Sequence, residues 1–210
     1  MAPENWARTV RTRVKDVSHD IRTPLNIAVL NIELLKMSLS GEDRPNQKRV
    51  EQCAAAEREL RRIADILEAF FTVLRLEPTE GDESIGNVAS EIAAELGVPL
   101  DVKEDGRVCL EAAHLKHLIR TLMEGADSAV AAPRAIVENV DGHCRLTLTG
   151  KAIDSAEIGK IFKFYYTDPS HNPRLELATA RLMAEACGGS LELEHRENEI
   201  ALILDMPGKA

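Results

Sequence analysis

The sequence predicts an α+β protein: an antiparallel helical hairpin that pairs into a dimeric four-helix bundle, followed by a two-layer α/β sandwich. Three observations carry that class. Apolar residues recur in steps of four and three over residues 5–39, and again over 47–76. Between the two runs, "SGEDRPN" at 40–46 supplies Gly, Pro and turn formers that break a helix. Beyond residue 83 the pattern changes to short helical windows interleaved with β-branched and alternating runs.

The first helix has the longest seam: Val10, Val14, Val17, Ile21, Leu25, Ala28, Ile32, Leu35 and Leu39. In the second, Leu60, Ile63, Leu67, Phe70 and Leu74 continue the alternation. Two long helices with a short connection fold back as a hairpin. Phe70 and Phe71, like Leu34 and Leu35, fall on neighbouring sides of their helices. One hairpin cannot bury both sides, so a symmetric homodimer is expected. "EPTEGDES" at 77–84 reads as a linker, placing the domains at 1–76 and 83–210. "SIGNVASEIAAELG" and "EAAHLKHLIRTLMEGADSAVA" have helical spacing. "RAIVENV", "CRLTLTG", "GSLELEHR" and "EIALILDM" read as strands, with an Asp-Gly turn making "VENVDGHCRLTL" a hairpin. A last helix, 174–187, stops at Gly188-Gly189.

Composition narrows the function classes. Apolar residues make up 44% of the 210 and aromatics only 3%, so the core rests on Leu, Ile, Val and Ala. A net charge of −9 without a basic run argues against a nucleic-acid groove or an anionic membrane surface. Cys53, Cys109, Cys144 and Cys187 lack metal-ligand spacing and suit a reducing compartment. No apolar run approaches bilayer length and the N-terminus lacks a signal-like apolar stretch, so a cytoplasmic location is expected.

"SHDIRTPLN" at 18–26 interrupts the first helix with Pro24, five residues after His19. His19 lies off the seam, with Asp20 beside it and Thr23 one turn on. Pro24 removes a backbone donor and clashes with the carbonyl of Asp20, which predicts a kink that exposes the His19 turn. A neutral imidazole is a competent nucleophile, a neighbouring carboxylate can take its proton, and a hydroxyl one turn away can position water.

That string resembles the phosphoacceptor box of bacterial two-component sensor histidine kinases, His-Asp/Glu-x-Arg/Lys-x-Pro-Leu, matched by His19 through Leu25. The resemblance implies that His19 is the phosphorylated residue and Asp20 the adjacent acid or base. Thr23 is then the position used in dephosphorylating a regulator, with Arg22 and Pro24 in support. The hairpin becomes the dimerisation and phosphotransfer domain, and residues 83–207 the outline of the family's ATP-binding sandwich.

The nucleotide motifs of that sandwich are degenerate. Thr121 and Gly125 stand at the two Asn positions of the metal-binding helix. Leu148 replaces the adenine-reading Asp; Gly150 survives, but Ala152 replaces the next glycine. Arg174 and Glu176 replace both glycines of the phosphate-cradling turn, where glycine lets backbone approach phosphate. "TDPSHNP" is shorter than the family's lid.

The resemblance therefore points to a histidine phosphotransferase derived from a histidine kinase. It would shuttle a phosphoryl group between response-regulator aspartates through His19, without ATP, a metal or another cofactor of its own. The partner regulator would supply the Mg2+. Receiver domains are the expected partners, with an upstream hybrid kinase as a candidate, and Ile27 and Ala28 the expected docking residues. The alternatives are a regulator-binding or phosphatase module acting through Thr23, and an ATP-dependent sensor kinase. His114 and His117 share a helix face without completing a metal site; His143, His171 and His195 read as loop or edge residues. Arg11, Arg13 and Lys15 read equally as a solvated face or a docking patch.

Overall fold

The computed structural model describes residues 3–39, 46–74, 81–153, 158–164, 166, 174–196 and 199–209; side chains before Asp20 lie outside that description. Helix α1 spans Pro3–Leu39 and contains Pro24. Helix α2 spans Asn46–Leu74 and runs alongside it. The linker expected at 77–84 lies outside the described residues up to residue 80.

The hairpin seam differs from the expected one. On α1 the residues turned inward are Ile21, Pro24, Ala28, Asn31 and Leu35, in steps of three and four. Leu25, Ile32 and Leu39 are exposed. On α2 the inward set is Arg49, Gln52, Ala56, Glu59, Ile63, Ile66 and Phe70, while Val50, Leu60 and Phe71 are exposed. The sequence pattern had merged two stripes into one. A helix surface advances 100° per residue, so neighbouring stripes share the same step pattern.

A two-residue strand β1, Glu83–Ser84, leads into helix α3, Ile85–Leu96. Ser84 caps that helix by accepting from the backbone N–H of Asn87 at 2.9 Å. Gly97 ends it in the left-handed conformation at φ 69°. Strand β2 is Leu100–Val102 and β3 is Arg107–Val108. Helix α4 covers Ala112–Ala126, shorter than its helical window, because Val130 begins strand β4, Val130–Val140. Strand β5 is His143–Ala152, helix α5 Glu176–Ala186, and strands β6 and β7 are Ser190–Arg196 and Glu199–Pro207.

The main sheet runs β2-β4-β5-β7-β6. All its pairs are antiparallel except β2 with β4, a parallel edge that carried no sequence signal because β2 has three residues. Asp141 and Gly142, both at positive φ, turn β4 into β5 as expected for a tight hairpin. Period-two alternation sorts the faces. Cys144, Leu146, Leu148 on β5 and Ile200, Leu202, Leu204 on β7 enter the core with the helices. Arg145, Thr147 and Asp205 line the opposite, open face. The fold is therefore the expected two-layer sandwich behind a helical hairpin. The hairpin contributes to its core: Ile66 is fully buried there, with Ile21, Ala69 and Phe70 packed against it.

Candidate functional site

The phosphoacceptor-like box lies within α1, about midway along the helix. His19 belongs to that helix, and its side chain lies outside the described residues. Arg22 and Thr23 are exposed. Two residues depart from expectation. Asp20 is only 4% exposed, where an open turn beside His19 was expected. Its Oδ2 accepts a hydrogen bond from the backbone N–H of Phe164 at 3.3 Å. Ala28 is 1% exposed, held in the hairpin seam and closed to a docking partner. The cause is the same for both: they lie on the arc of α1 that faces α2 and the sandwich. Pro24 is buried on this arc too.

The rest of α1 carries two apolar stripes. One continues from His19: Thr23, Ile27, Leu30, Leu34 and Met37, in steps of four and three. Leu30 is 55% exposed and Met37 67%. The other is Leu25, Val29, Ile32 and Leu39, also exposed and on the opposite flank. On α2, Val50, Leu60, Leu67 and Phe71 form a matching stripe. In an antiparallel pair, the helical phases put this stripe and the Leu25 stripe on the same side of the hairpin. The Thr23–Ile27–Leu30 stripe faces the other side.

The sandwich positions that the sequence marks as departures from the nucleotide motifs divide into two groups. Thr121, Gly125 and Glu176 meet where α5 lies on α4. A Cβ on Gly125 would stand 2.8 Å from Glu176 Cβ and 3.0 Å from the backbone N of Leu177. Thr121 is buried and Glu176 half-buried, with one carboxylate oxygen of Glu176 enclosed and without a hydrogen bond. These two residues line a cleft of about 380 Å³ between α2, α4 and α5, together with Asp65, Glu68, Glu124 and His117. Arg174, just before α5, places its guanidinium 4.0 Å from Glu176.

The second group sits in the sheet. Leu148 is 0% exposed, paired across the strands with Ala135 and Leu202. Gly150 is buried under Val130 and the Ala131 carbonyl; a Cβ there would approach them to 2.5 and 2.6 Å. Ala152 is half-buried at the end of β5. These three do not reach the cleft. The "TDPSHNP" stretch and His171 lie outside the described residues.

Two other histidines have local partners. His143 Nδ1 lies 2.5 Å from Asp205 Oδ1, and His114 lies 3.7 Å from Glu111. Among the described residues no group of three or more His, Cys, Asp or Glu could hold a metal ion, and no helix is long and apolar enough to cross a membrane. Sequence reasoning missed Arg62 and Phe164. Arg62 donates to the Phe164 carbonyl at 3.5 Å and lies near Asp20. Nothing in the sequence couples residues about a hundred positions apart.

Residues 10–79 match the His Kinase A (phospho-acceptor) domain. No curated protein matches the chain. Among solved structures, the Acinetobacter baumannii histidine kinase AdeS is similar over 91% of this chain and 98% of its own, at TM-score 0.56 and 15% identity. The mycobacterial sensor histidine kinase MprB matches 62% of this chain and 99% of its own, at TM-score 0.51 and 16% identity. Full-length ShkA, solved in complex with AMPPNP, covers all of this chain with 47% of its own, at TM-score 0.54 and 17% identity. The long helix and the sandwich behind it share the two-part fold of the solved histidine kinases, and residues 10–79 match the His Kinase A phospho-acceptor domain.

Proposed function

We propose that the protein is a dimeric histidine phosphotransferase, passing phosphoryl groups between response-regulator aspartates through His19 without using ATP. The observation that carries this reading is the acidic cleft between α2, α4 and α5. Asp65, Glu68, Glu124 and Glu176 converge on it, and α5 rests directly on α4 at Gly125. A triphosphate entering there would meet four carboxylates, and like charges at short range repel strongly where water is partly excluded. Leu148, at the position of the adenine-reading carboxylate, is sealed in the core. The AMPPNP bound by ShkA belongs to that protein's pocket.

In the transfer, one imidazole nitrogen of His19 attacks the phosphorus of a receiver's aspartyl phosphate. The P–N bond forms as the P–O bond breaks, the regulator's carboxylate leaves with the electron pair, and the other ring nitrogen retains or sheds its proton. Return to a second regulator reverses these steps. The Mg2+ that neutralises the phosphoryl oxygens is the regulator's. Ile27, Leu30 and Met37 supply an exposed apolar track on the His19–Thr23 face for the regulator to dock on. The opposite side of the hairpin, with Leu25, Ile32, Leu60 and Phe71, is the dimer surface.

The test is incubation with receiver domains already phosphorylated by acetyl phosphate. Acid-labile label should move to this chain and be lost in His19→Ala. Label that persists in His19→Ala sinks the assignment. Calorimetry with ATP and Mg2+ should show heats of dilution alone; saturable micromolar binding would restore the kinase reading.

A further inference from the structure

Three helices each turn one face toward the acidic cleft. On α4, Thr121 and Glu124 stand three residues apart, as do Glu176 and Thr179 at the start of α5, and α2 contributes Asp65. These polar residues sort by depth. Asp65 and Glu124 are exposed at the mouth. Thr121 and Thr179 are 8% and 7% exposed, so each is more than nine-tenths buried, yet both line the cleft. A buried helical hydroxyl commonly bonds back to the carbonyl one turn earlier, as Ser90 does to Gly86 at 2.7 Å. Thr121 and Thr179 do not: among the described residues neither hydroxyl has a hydrogen-bond partner. Buried polar groups are normally paired, so two that open on one cleft point to a ligand that completes them.

The acceptors decide what that ligand carries. Carboxylates at the mouth and hydroxyl oxygens on the floor call for donors and positive charge. The neighbouring cations do not supply them. Arg120 pairs with Glu95 and stays 3.9 Å from Glu124, and the Arg174 guanidinium stays 4.0 Å from Glu176, both beyond hydrogen-bond reach. One oxygen of Glu176 is enclosed without a hydrogen bond. A bare metal ion is a poor fit, because it needs its ligands converging at about 2–2.6 Å. Among the described residues no group of three or more His, Cys, Asp or Glu can do that. Acceptors spread over three helices suit a flexible chain with separated ammonium groups, each bringing three donors. The cleft, at about 380 Å³, has the size of a small-molecule site. The net charge of −9 draws such a cation in.

We propose that the cleft between α2, α4 and α5 binds a linear polyamine. The Thr121 and Thr179 hydroxyls accept from one ammonium group, and Asp65 and Glu124 neutralise the next. The site goes beyond phosphotransfer and shares with that reading only the exclusion of nucleotide from the cleft. His19 takes no part in it.

The test is calorimetry of the full chain with spermidine at low salt, and with butylamine as a single-ammonium control. Wild type should bind spermidine saturably, at one site per chain, and butylamine at least about tenfold more weakly. Glu124→Gln and Thr121→Val should each weaken spermidine by about tenfold, the loss of one charge-assisted hydrogen bond. Asp65→Asn, at an exposed position, should do the same and keeps the question decidable if Thr121→Val does not fold. Glu192→Gln, which removes a carboxylate from the open face of the sheet, should change nothing. Spermidine that fails to saturate, or that Glu192→Gln weakens as much as Glu124→Gln does, is only screening surface charge and overturns the site. A butylamine affinity equal to that of spermidine fits a single lysine side chain and overturns the polyamine. Either failure leaves transfer through His19 standing. Conversely, a wild-type chain that takes spermidine but no label from a phosphorylated receiver loses the phosphotransfer reading and keeps the site.

Discussion

Gly125 shows how one missing side chain lets two helices close on each other. With hydrogen in place of a side chain, α5 closes onto α4 to within 2.8 Å of where a Cβ would stand. Introducing an amide by Gly125→Asn should push α5 away and destabilise the protein by about 1–3 kcal/mol, the usual cost of overpacking. Urea denaturation would measure it, and an unchanged midpoint would mean that the α4–α5 contact yields freely. Leu148→Asp is expected to be more severe. The position is fully buried between Ala135 and Leu202, so an unpaired carboxylate there should cost about 3–5 kcal/mol. The variant should melt far lower without gaining ATP binding. A folded Leu148→Asp protein that binds ATP would reverse the account of the sandwich. Both residues were legible in the sequence as departures from a motif. That one fills the helix contact and the other the sheet core was not, since a motif position does not state what packs on it.

At the scale of elements, the hairpin has an inner seam and an outer one, and they should respond differently. Leu60→Glu lies on the exposed stripe of α2 at 48% exposure. In sedimentation it should shift the protein from dimer to monomer with circular dichroism little changed. Ile66→Ala lies on the inner seam, fully buried against the sandwich. It should cost about 2–5 kcal/mol of stability in monomer and dimer alike. A Leu60→Glu protein that stays dimeric at low concentration would move the dimer surface elsewhere. The sequence showed that two apolar stripes exist, through the neighbours Phe70 and Phe71. Their assignment failed because a four-three alternation fits several phases of one helix, and only contact with α2 separates them.

Charge governs the whole molecule. Three carboxyls are held below their ordinary values by hydrogen bonds from cations: Asp82 by Arg107, Glu95 by Arg120 and Glu138 by Lys103. They tie β3 to the segment before β1, α3 to α4, and the residue after β2 to β4. A depressed folded pKa means that the unfolded chain binds more protons near the ordinary values of 3.8 and 4.5. The stabilisation is therefore complete above those values and is lost as pH falls through the lower folded ones. Denaturation midpoints should be flat from neutral pH to about 5 and fall below about 4. Added salt should flatten the fall, because all three pairs are solvent-exposed and screened. A midpoint that falls already near pH 6 would show that other contacts govern the acid transition.

What the sequence determined by itself was local and periodic. Helical spacing defined α1 and α2 almost to the residue, alternation identified four of the strands, and Asp141-Gly142 marked their turn. The His19–Leu25 string pointed to the phosphoacceptor helix without any structure, because a motif is contiguous chemistry. Tertiary structure decided the rest. Asp20 is a neighbour of His19 in the chain, yet it is buried, because a peptide group from residue 164 packs on its flank of α1. Ala28 is closed to partners for a similar reason, its side of α1 being claimed by α2. Burial is a property of what comes to lie on a residue, and for both of these the covering atoms belong to segments far along the chain.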